Sequence, residues 1–220
     1  MTIRRWPALG VLTLGVLLIG VDGTVVSLAT PFIVAALGAT ATDMLWVGDV
    51  YSFVLAGLLV TMGSLGDRIG HRRLLLCGAG AFAAASVATA YAPTVGLLIG
   101  ARALLGVAGA TLAPSTLALI RGLFPRPRER AVAIGVWAAV FSAGSALGPV
   151  VSGLLVGHFW WGSVFLVNVP IVVVAVVAVM FVVPTSKDPD SGRMDWFGLV
   201  LSVASIGLLV WSIIEGPRLG

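Results

Sequence analysis

The sequence predicts an all-α membrane protein with seven helical spans. Hydrophobic residues make up 59% of the 220 residues, charged residues only 10%, and the mean hydropathy is +1.11. Apolar runs of about 18 residues or more recur along the chain, and a helix of that length crosses the ~30 Å hydrocarbon core of a bilayer. Because the runs are continuous and do not alternate with period two, helices are favoured over a membrane β-barrel.

The predicted spans are separated by short polar segments. Their approximate ranges are 8–30, 45–62, 74–91, 96–119, 131–157, 163–183 and 196–214. Segment 184–195 is rich in Pro, Ser and charge, which is typical of a linker. We therefore expect a six-span unit over 1–183, a cytoplasmic linker over 184–195, and a seventh span with a truncated end over 196–220. A weak echo between residues 27–31 and 111–114 suggests that the six-span unit contains two inverted three-span repeats.

Basic residues fall on alternate loops. The N-terminus and the segments 63–73, 121–130 and 184–195 carry two, three, four and two of the 13 Lys and Arg residues. The intervening loops, which contain neither residue type, are 38–44, 92–95 and 158–162. By the positive-inside rule, this pattern predicts a multi-pass protein of the cell membrane with a cytoplasmic N-terminus. It also argues against a nucleic-acid surface, although the net charge is +4.

Three ionisable residues fall within predicted spans, namely Asp22, Asp49 and Arg102. Each costs roughly 2.5–3.5 kcal/mol at a helix centre, so such residues usually line a bundle interior or a wet cavity. We expect all three to border one cavity. Trp46 and Phe53 share the helical face of Asp49, and an acid beside aromatic rings suits a lipophilic cation.

Each candidate also has a purely structural interpretation. Asp22 and Arg102 could form a structural ion pair, which would give neither residue a role in binding. Asp49 is close enough to the membrane interface to be merely solvated, and Trp46 is typical of an interfacial belt. These alternatives stay open at the level of the sequence.

Glycines and one proline predict where helices approach closely or bend. The polar segment 63–73 is predicted to form a tight loop because glycines, which allow sharp turns, lie between its charged residues. Small residues on spans four and five allow close helix crossings, and a proline inside span five removes a backbone hydrogen bond. The residues concerned are Gly63, Gly66, Asp67, Arg68, Gly70 and Arg72 in the loop, Gly106 and Gly109 on span four, and Gly144, Gly148, Pro149 and Gly153 on span five.

No motif indicates an enzyme. The chain lacks HExxH, GxSxG and phosphate-loop patterns, and its single cysteine, Cys77, excludes a disulfide framework. The two histidines, His71 and His158, lie in predicted loops on opposite sides of the membrane and cannot share a metal ion. We expect neither catalysis nor a metal or organic cofactor.

At several positions the sequence resembles the major facilitator superfamily, in particular its 14-span drug:proton antiporters. The loop motif at 63–73 is the most specific match, with His71 where an arginine is usual. The other matching stretches are 22–29, 45–57, 98–110, 144–153, 161–170 and 195–198. The stretch at 45–57 is closest to pumps for quaternary ammonium compounds and methyl viologen.

The resemblance implies an N-terminal half of a multidrug efflux pump that contributes to antibiotic resistance. It implies that a proton gradient supplies the energy and that Asp22 and Asp49 engage protons or cationic drugs. It further implies proton coupling through the span-four motif that contains Arg102. The expected partners are membrane lipid, protons, lipophilic cations, and a missing C-terminal bundle or a second polypeptide. Two alternatives remain: a half-transporter with no transport of its own, and a metabolite transporter of the same superfamily.

Overall fold

The structure is a computed structural model that describes residues 5–183 together with Leu201, Ala204, Ser205, Leu208 and Ser212, which are helical. The predicted linker and most of the predicted seventh span lie outside the described residues. Within residues 5–183 every regular element is an α-helix. The helices are α1 (Arg5–Leu37), α2 (Ala41–Ile69), α3 (His71–Ala90), α4 (Val95–Leu123), α5 (Pro127–His158), α6 (Ser163–Leu166) and α7 (Asn168–Val182).

Six helices in the described part of the chain are long and apolar enough to cross a membrane. The sixth is Ser163–Val182, in which α6 and α7 follow each other with a break at Val167. The six predicted spans before the linker are therefore confirmed, and the chain is a multi-pass membrane protein. Most helices extend past their apolar runs, which agrees with a polar interface on each side of the hydrocarbon core.

Local chemistry explains where several helices begin and end. Thr40 and Asp43 form a capping box at the start of α2, in which each side chain accepts the other residue's backbone N–H. Thr94 caps α4 by accepting from the Leu97 N–H. Pro127 occupies the first turn of α5, where no backbone donor is needed. Gly38 ends α1 in a left-handed conformation, with φ of 66°.

The connection between α2 and α3 is shorter than the sequence predicted. Residues 63–69 are helical and belong to α2, so the predicted loop at 63–73 reduces to a turn at Gly70. Gly70 adopts φ of 95°, a conformation that side chains disfavour, and its N–H still bonds the Gly66 carbonyl. The helix continues through the polar residues because its hydrogen bonds do not depend on hydrophobicity.

The helices pack in a pattern that two three-helix repeats would produce. The most extensive contacts join α1 to α5 and α2 to α4, followed by α3 to α4 and α7 to α1. Exchanging α1, α2 and α3 with α4, α5 and the α6–α7 span converts the α1–α5 pair into the α4–α2 pair. The same exchange converts the α3–α4 pair into the α7–α1 pair. This correspondence agrees with the 3+3 inverted repeat predicted from the sequence.

Glycines allow the two principal crossings. A methyl group added to Gly20 of α1 would lie 2.6 Å from the Phe141 carbonyl oxygen of α5, and one added to Gly144 would lie 2.8 Å from the Leu17 carbonyl oxygen. At the α2–α4 crossing, a methyl group on Gly106 would lie 2.7 Å from the Tyr51 carbonyl oxygen. Backbone atoms cannot move aside as flexible side chains do. The crossings therefore require hydrogen as the side chain.

The helices differ in how much of their surface the bundle buries. Of the 18 most apolar consecutive residues of each helix, 67% are buried in α1 and 56% in α4. In α2 and in α5 only 17% of these residues are buried. The centre of the bundle therefore lies on α1 and α4. The helices α2 and α5 lie at its periphery, although each packs closely on one central helix.

Candidate functional site

Asp22 lies at the centre of the bundle, with no solvent exposure. Its Oδ2 is 2.5 Å from Nη1 of Arg102, which is equally buried. Its Oδ1 accepts a hydrogen bond of 2.9 Å from Nδ2 of Asn168. Both carboxylate oxygens are therefore engaged, one by α4 and the other by α7.

Arg102 is held by α2 as well as by Asp22. Its Nε donates to the Val47 carbonyl oxygen at 3.0 Å. Its guanidinium carbon lies 4.6 Å from the ring centre of Tyr51 and 5.7 Å from that of Phe165. Such contacts stabilise a desolvated cation through the ring quadrupole. Two aromatic rings and a carbonyl therefore position the guanidinium against the acid.

Further polar side chains extend this site to α3. Nδ2 of Asn168 also lies 3.3 Å from Oγ of Ser86, which is fully buried on α3. The Tyr51 hydroxyl donates to the Ile19 carbonyl oxygen on α1 at 3.4 Å. We call Asp22, Tyr51, Ser86, Arg102 and Asn168 the buried polar cluster. It connects α1, α2, α3, α4 and α7.

The buried polar cluster has no net formal charge but retains hydrogen-bonding capacity. Nη2 of Arg102 and Oδ1 of Asn168 are buried and have no hydrogen-bond partner among the described residues. One is a donor and the other an acceptor, and leaving such groups unsatisfied is costly. The cluster therefore retains one unused donor and one unused acceptor inside the bundle.

Asp49 lies elsewhere. It is exposed on α2, and within the described residues it makes no hydrogen bond or ion pair. It is two positions from both Val47 and Tyr51, so it is about 200° away from them around the helix. Trp46 and Phe53 are half-buried on the side of Asp49. The structure therefore brings Asp22 and Arg102 together and separates them from Asp49, Trp46 and Phe53.

The exposed side of α2 is a continuous stripe, which we call the α2 outer face. It consists of Leu45, Asp49, Ser52, Ala56, Val60, Ser64 and Asp67. These residues recur every three or four positions and so share one face of the helix. Two acids and two serines make this face more polar than the exposed surface of α7, where Val173, Val177 and Phe181 dominate.

The turn between α2 and α3 forms its own contacts. Oδ1 of Asp67 lies 2.9 Å from Nε2 of His71, four residues later. Gly66 lies under the His71 ring, where any side chain would overlap the imidazole. Nη2 of Arg72 donates to the Met180 carbonyl oxygen near the end of α7 at 2.9 Å. His71 therefore occupies the position beside Asp67 where the sequence comparison expected an arginine.

Tyr51, Ser86 and Asn168 were not identified as site residues from the sequence. Tyr51 and Asn168 fall in stretches that resemble the family motifs, but nothing in the pattern shows that their side chains reach Asp22. Ser86 is a small polar residue in an alanine-rich helix and gives no signal. In the described part of the chain, no group of three or more His, Cys, Asp or Glu residues is placed to hold a metal ion.

In the part of the chain that the structure describes, six helices able to cross a membrane enclose a buried charge pair, and charged residues inside a membrane commonly mark transport pathways. Residues 12–218 match the family model of the Major Facilitator Superfamily, so the chain belongs to this family. Membership of a transporter family indicates a non-enzymatic protein.

Several named relatives match nearly the whole chain. The multidrug efflux pump LfrA of Mycolicibacterium smegmatis is 53% identical over 96% of this chain and 42% of its own length. The methyl viologen resistance protein SmvA of Salmonella typhimurium is 42% identical over 95% of this chain and 42% of its own length. The tetracenomycin C resistance and export protein of Streptomyces glaucescens is 38% identical over 99% and 40%. The chain thus spans about two fifths of the length of these relatives.

A solved structure confirms the fold. A bacterial homologue of the human drug peptide transporters PepT1 and PepT2 superposes with a TM-score of 0.66, over 96% of this chain and 51% of that chain. The sequence identity is 19%, so this likeness concerns the fold alone.

Proposed function

We propose that this chain is the N-terminal bundle of a proton-coupled multidrug exporter of lipophilic cations, such as quaternary ammonium compounds. The observation that carries the proposal is the Asp22–Arg102 pair, a carboxylate with no exposure that is neutralised by a fully buried guanidinium. The names of the relatives support the multidrug class. Proton coupling and cationic substrates go beyond those names, and they are what the proposal adds.

In the proposed mechanism, three positively charged species compete for Asp22. In the conformation described, Arg102 neutralises the carboxylate, and burial closes both residues to solvent. A proton on Asp22 would remove its negative charge and weaken its attraction to Arg102. A cationic drug would need the same negative charge. Proton and drug therefore exclude each other at Asp22, and an inward proton gradient drives the drug outward.

This competition requires a second conformation in which α1 and α4 separate enough to hydrate Asp22. Transport of this kind occurs by rocking of two helical bundles around a site at their interface. We propose that the second bundle packs on α2 and α5, which bury little of their surface in the described residues. The α2 outer face supports this assignment, because Asp49 would be costly in contact with lipid. The second bundle is either a further part of a longer protein or a separate polypeptide.

The test of Asp22 uses a chimera in which this chain replaces the matching segment of the Mycolicibacterium smegmatis pump. Ethidium or benzalkonium export is measured in cells with Asp22, with Asp22→Asn, and with Asp49→Asn as the matched removal of an exposed acid. Asp22→Asn is expected to abolish export that depends on the proton gradient. Unchanged export with Asp22→Asn would refute the assignment of cation or proton binding to Asp22.

A second experiment tests whether the chain transports without a partner. The purified 220-residue chain is reconstituted into liposomes, and a proton gradient is imposed. No ethidium flux is expected, since one six-helix bundle cannot alternate between two openings by itself. Gradient-driven flux through the isolated chain would contradict the need for a second bundle.

We further propose a location in the plasma membrane with the N-terminus in the cytoplasm. The alternation of basic loops supports this orientation. A protease-sensitive tag placed before Met1 is expected to resist digestion in intact cells and to be cleaved after the membrane is opened. Cleavage in intact cells would reverse the orientation.

A further inference from the structure

Asn168 carries the only carboxamide side chain of the 220 residues, since the sequence contains no other Asn and no Gln. It is fully buried, and its Nδ2 faces two oxygen atoms at once. One is Oδ1 of Asp22 at 2.9 Å, and the other is Oγ of Ser86 at 3.3 Å. The two N–H groups of the amide therefore have one acceptor each. The amide oxygen has no partner among the described residues.

An ionised Asp22 explains this orientation of the amide. A carboxylate has no proton to donate, so a neighbouring amide must present its nitrogen and not its oxygen. The Ser86 hydroxyl can either donate or accept, and here it serves as an acceptor. The arrangement therefore suits a charged Asp22, whose other carboxylate oxygen faces Arg102.

A proton on Asp22 would reverse the requirement at Oδ1. The Arg102 guanidinium has only donors, so the O–H of the acid cannot point at it, and the proton belongs on the opposite oxygen, Oδ1. That O–H would then meet the N–H groups of Asn168, with a donor against a donor. A half-turn about the last side-chain bond of Asn168 removes this conflict. The half-turn needs little room, because it exchanges a nitrogen and an oxygen of similar size about a roughly two-fold torsion.

After the half-turn, both contacts of the amide are kept and their directions are reversed. The amide oxygen has two lone pairs, which take the place of the two N–H groups. One lone pair accepts from protonated Asp22, and the other accepts from the Ser86 hydroxyl, which rotates to donate. The end of the amide that faces away already lacks a partner among the described residues, so the turn breaks no bond there. Each protonation state of Asp22 therefore has its own matching set of hydrogen bonds.

Few other ionisable groups act on Asp22 in the part of the chain that the structure describes. Arg102 on α4 is the cation in contact with it, and the Tyr51 hydroxyl on α2 is a further titratable group that interacts with it. The central parts of α3 and α5 and the whole α6–α7 span contain no ionisable residue over the ranges 78–90, 131–157 and 163–182. The neutral amide of Asn168 is therefore a main partner of the acid besides Arg102.

We propose that Asn168 is a positioning residue for Asp22 in proton coupling, and that its amide makes a half-turn when Asp22 takes up a proton. Ser86 assists by reversing its own hydrogen bond. The inference rests on the proposed function, because it requires Asp22 to bind a proton. It assigns α7 and α3 a part in proton binding that the Asp22–Arg102 pair alone does not give them.

The primary test needs no substitution, because a single carboxamide gives a single signal. The full chain is made by cell-free synthesis with ¹⁵N in the asparagine side chain and ¹³C at Cγ of aspartate, and is reconstituted into phosphatidylcholine vesicles. Solid-state NMR measures the dipolar coupling between the Asn168 nitrogen and Asp22 Cγ as the pH is lowered. The chemical shift of the same Cγ reports the protonation of Asp22 in the same sample.

The coupling is expected to be strong while Asp22 is ionised and to be largely lost when its Cγ signal changes to that of the acid. The loss follows because the half-turn moves the nitrogen away from Asp22. A coupling that persists after the Cγ signal has changed would overturn the inference and leave the proposed function standing. A Cγ signal that stays unchanged at every pH at which the chain is folded would overturn both.

Matched variants distinguish positioning from a purely structural contact. In the chimera with the Mycolicibacterium smegmatis pump, Asn168→Leu removes both contacts of the amide. Thr116→Val removes a bond of 3.0 Å from Trp137 that joins α4 to α5 and does not involve Asp22.

Asn168→Leu is expected to shift the pH dependence of ethidium export by about one pH unit, because a bond to an ionised oxygen is about twice as strong as a bond to a neutral one. Thr116→Val is expected to keep the pH dependence of the unsubstituted chimera. An unshifted profile with Asn168→Leu, or the same shift with Thr116→Val, would reduce Asn168 to a structural contact and overturn the inference.

Discussion

The helices α1 and α2 each carry an acid within a membrane-crossing segment, and the two acids have opposite surroundings. Asp22 on α1 is fully buried, and both its oxygens are engaged by Arg102 and Asn168. Asp49 on α2 is exposed and makes no ion pair within the described residues. The two positions cannot be equivalent parts of one binding site in this conformation.

The difference shows how a helical bundle can tolerate a charged side chain inside a membrane. A buried acid is tolerated on α1 because a guanidinium and an amide replace the lost hydration. The acid on α2 has no such compensation, so its surroundings must supply it. Water or another protein surface can do so, whereas lipid cannot. The contrast therefore distinguishes a helix that holds the central charge from a helix whose acid requires water or another protein surface.

The largest expected effect comes from leaving Asp22 without its cation. Arg102→Leu is expected to lower the free energy of unfolding by about 3–5 kcal/mol, because the acid stays buried without compensation. Thermal and denaturant unfolding in detergent measure the loss. The double variant Asp22→Leu with Arg102→Leu should recover much of it, and a double variant less stable than Arg102→Leu would contradict this explanation.

A smaller loss is expected when Asn168 is truncated. Asn168→Ala removes a hydrogen bond to a charged oxygen, which contributes about 1.5–3 kcal/mol. Ser86→Ala removes only the longer, neutral contact of 3.3 Å and should cost less. The same unfolding measurement compares the two variants. A greater cost for Ser86→Ala would show that Asn168 is held mainly by α3 and not by Asp22.

The crossing that holds α1 against α5 is tested with two glycines of the same helix. Gly144→Ala places a methyl group 2.8 Å from the Leu17 carbonyl oxygen and is expected to cost about 1–3 kcal/mol. Gly135→Ala meets nothing within 4 Å and should instead stabilise α5 by about 0.5–1 kcal/mol, because alanine favours the helix. Thermal unfolding measures the sign of each change in stability. Equal effects of the two substitutions would contradict a close α1–α5 contact at Gly144.

The smallest effect on stability is expected at Asp49. Asp49→Asn should change the free energy of unfolding by less than about 0.5 kcal/mol, because the side chain has no partner to lose among the described residues. Accessibility gives a sharper measurement. In a Cys77→Ser background, Asp49→Cys should react with a water-soluble maleimide far faster than Asp22→Cys. Comparable rates would remove the contrast between the two helices.

The sequence predicted the helices more completely than it predicted the site. Six spans and the span-five glycine Gly144 at a close crossing agree with the structure. The tight loop at 63–73 was too long, since α2 continues to Ile69. Polar residues end an apolar run but do not end a helix, because backbone hydrogen bonds continue through them until Gly70.

Partners of the predicted acids were harder to identify. Asp22 and Arg102 are 80 residues apart, and Asp22 and Asn168 are 146 apart. No helical spacing relates residues on different helices. Asp49 illustrates the same limit. Spacing within one helix placed Trp46 and Phe53 beside it, but gave no information about how far Asp49 lies from Asp22 on another helix.

By itself, the sequence determined that the chain crosses a membrane repeatedly as helices, because only continuous apolar runs satisfy the backbone in hydrocarbon. It also determined the family, through motifs of glycine and charge at characteristic positions. Only the tertiary structure decided which helices are central and which acid is paired. The physical reason is that lipid tails are as apolar as leucine. Hydropathy therefore cannot distinguish a side chain that packs on another helix from one that faces lipid.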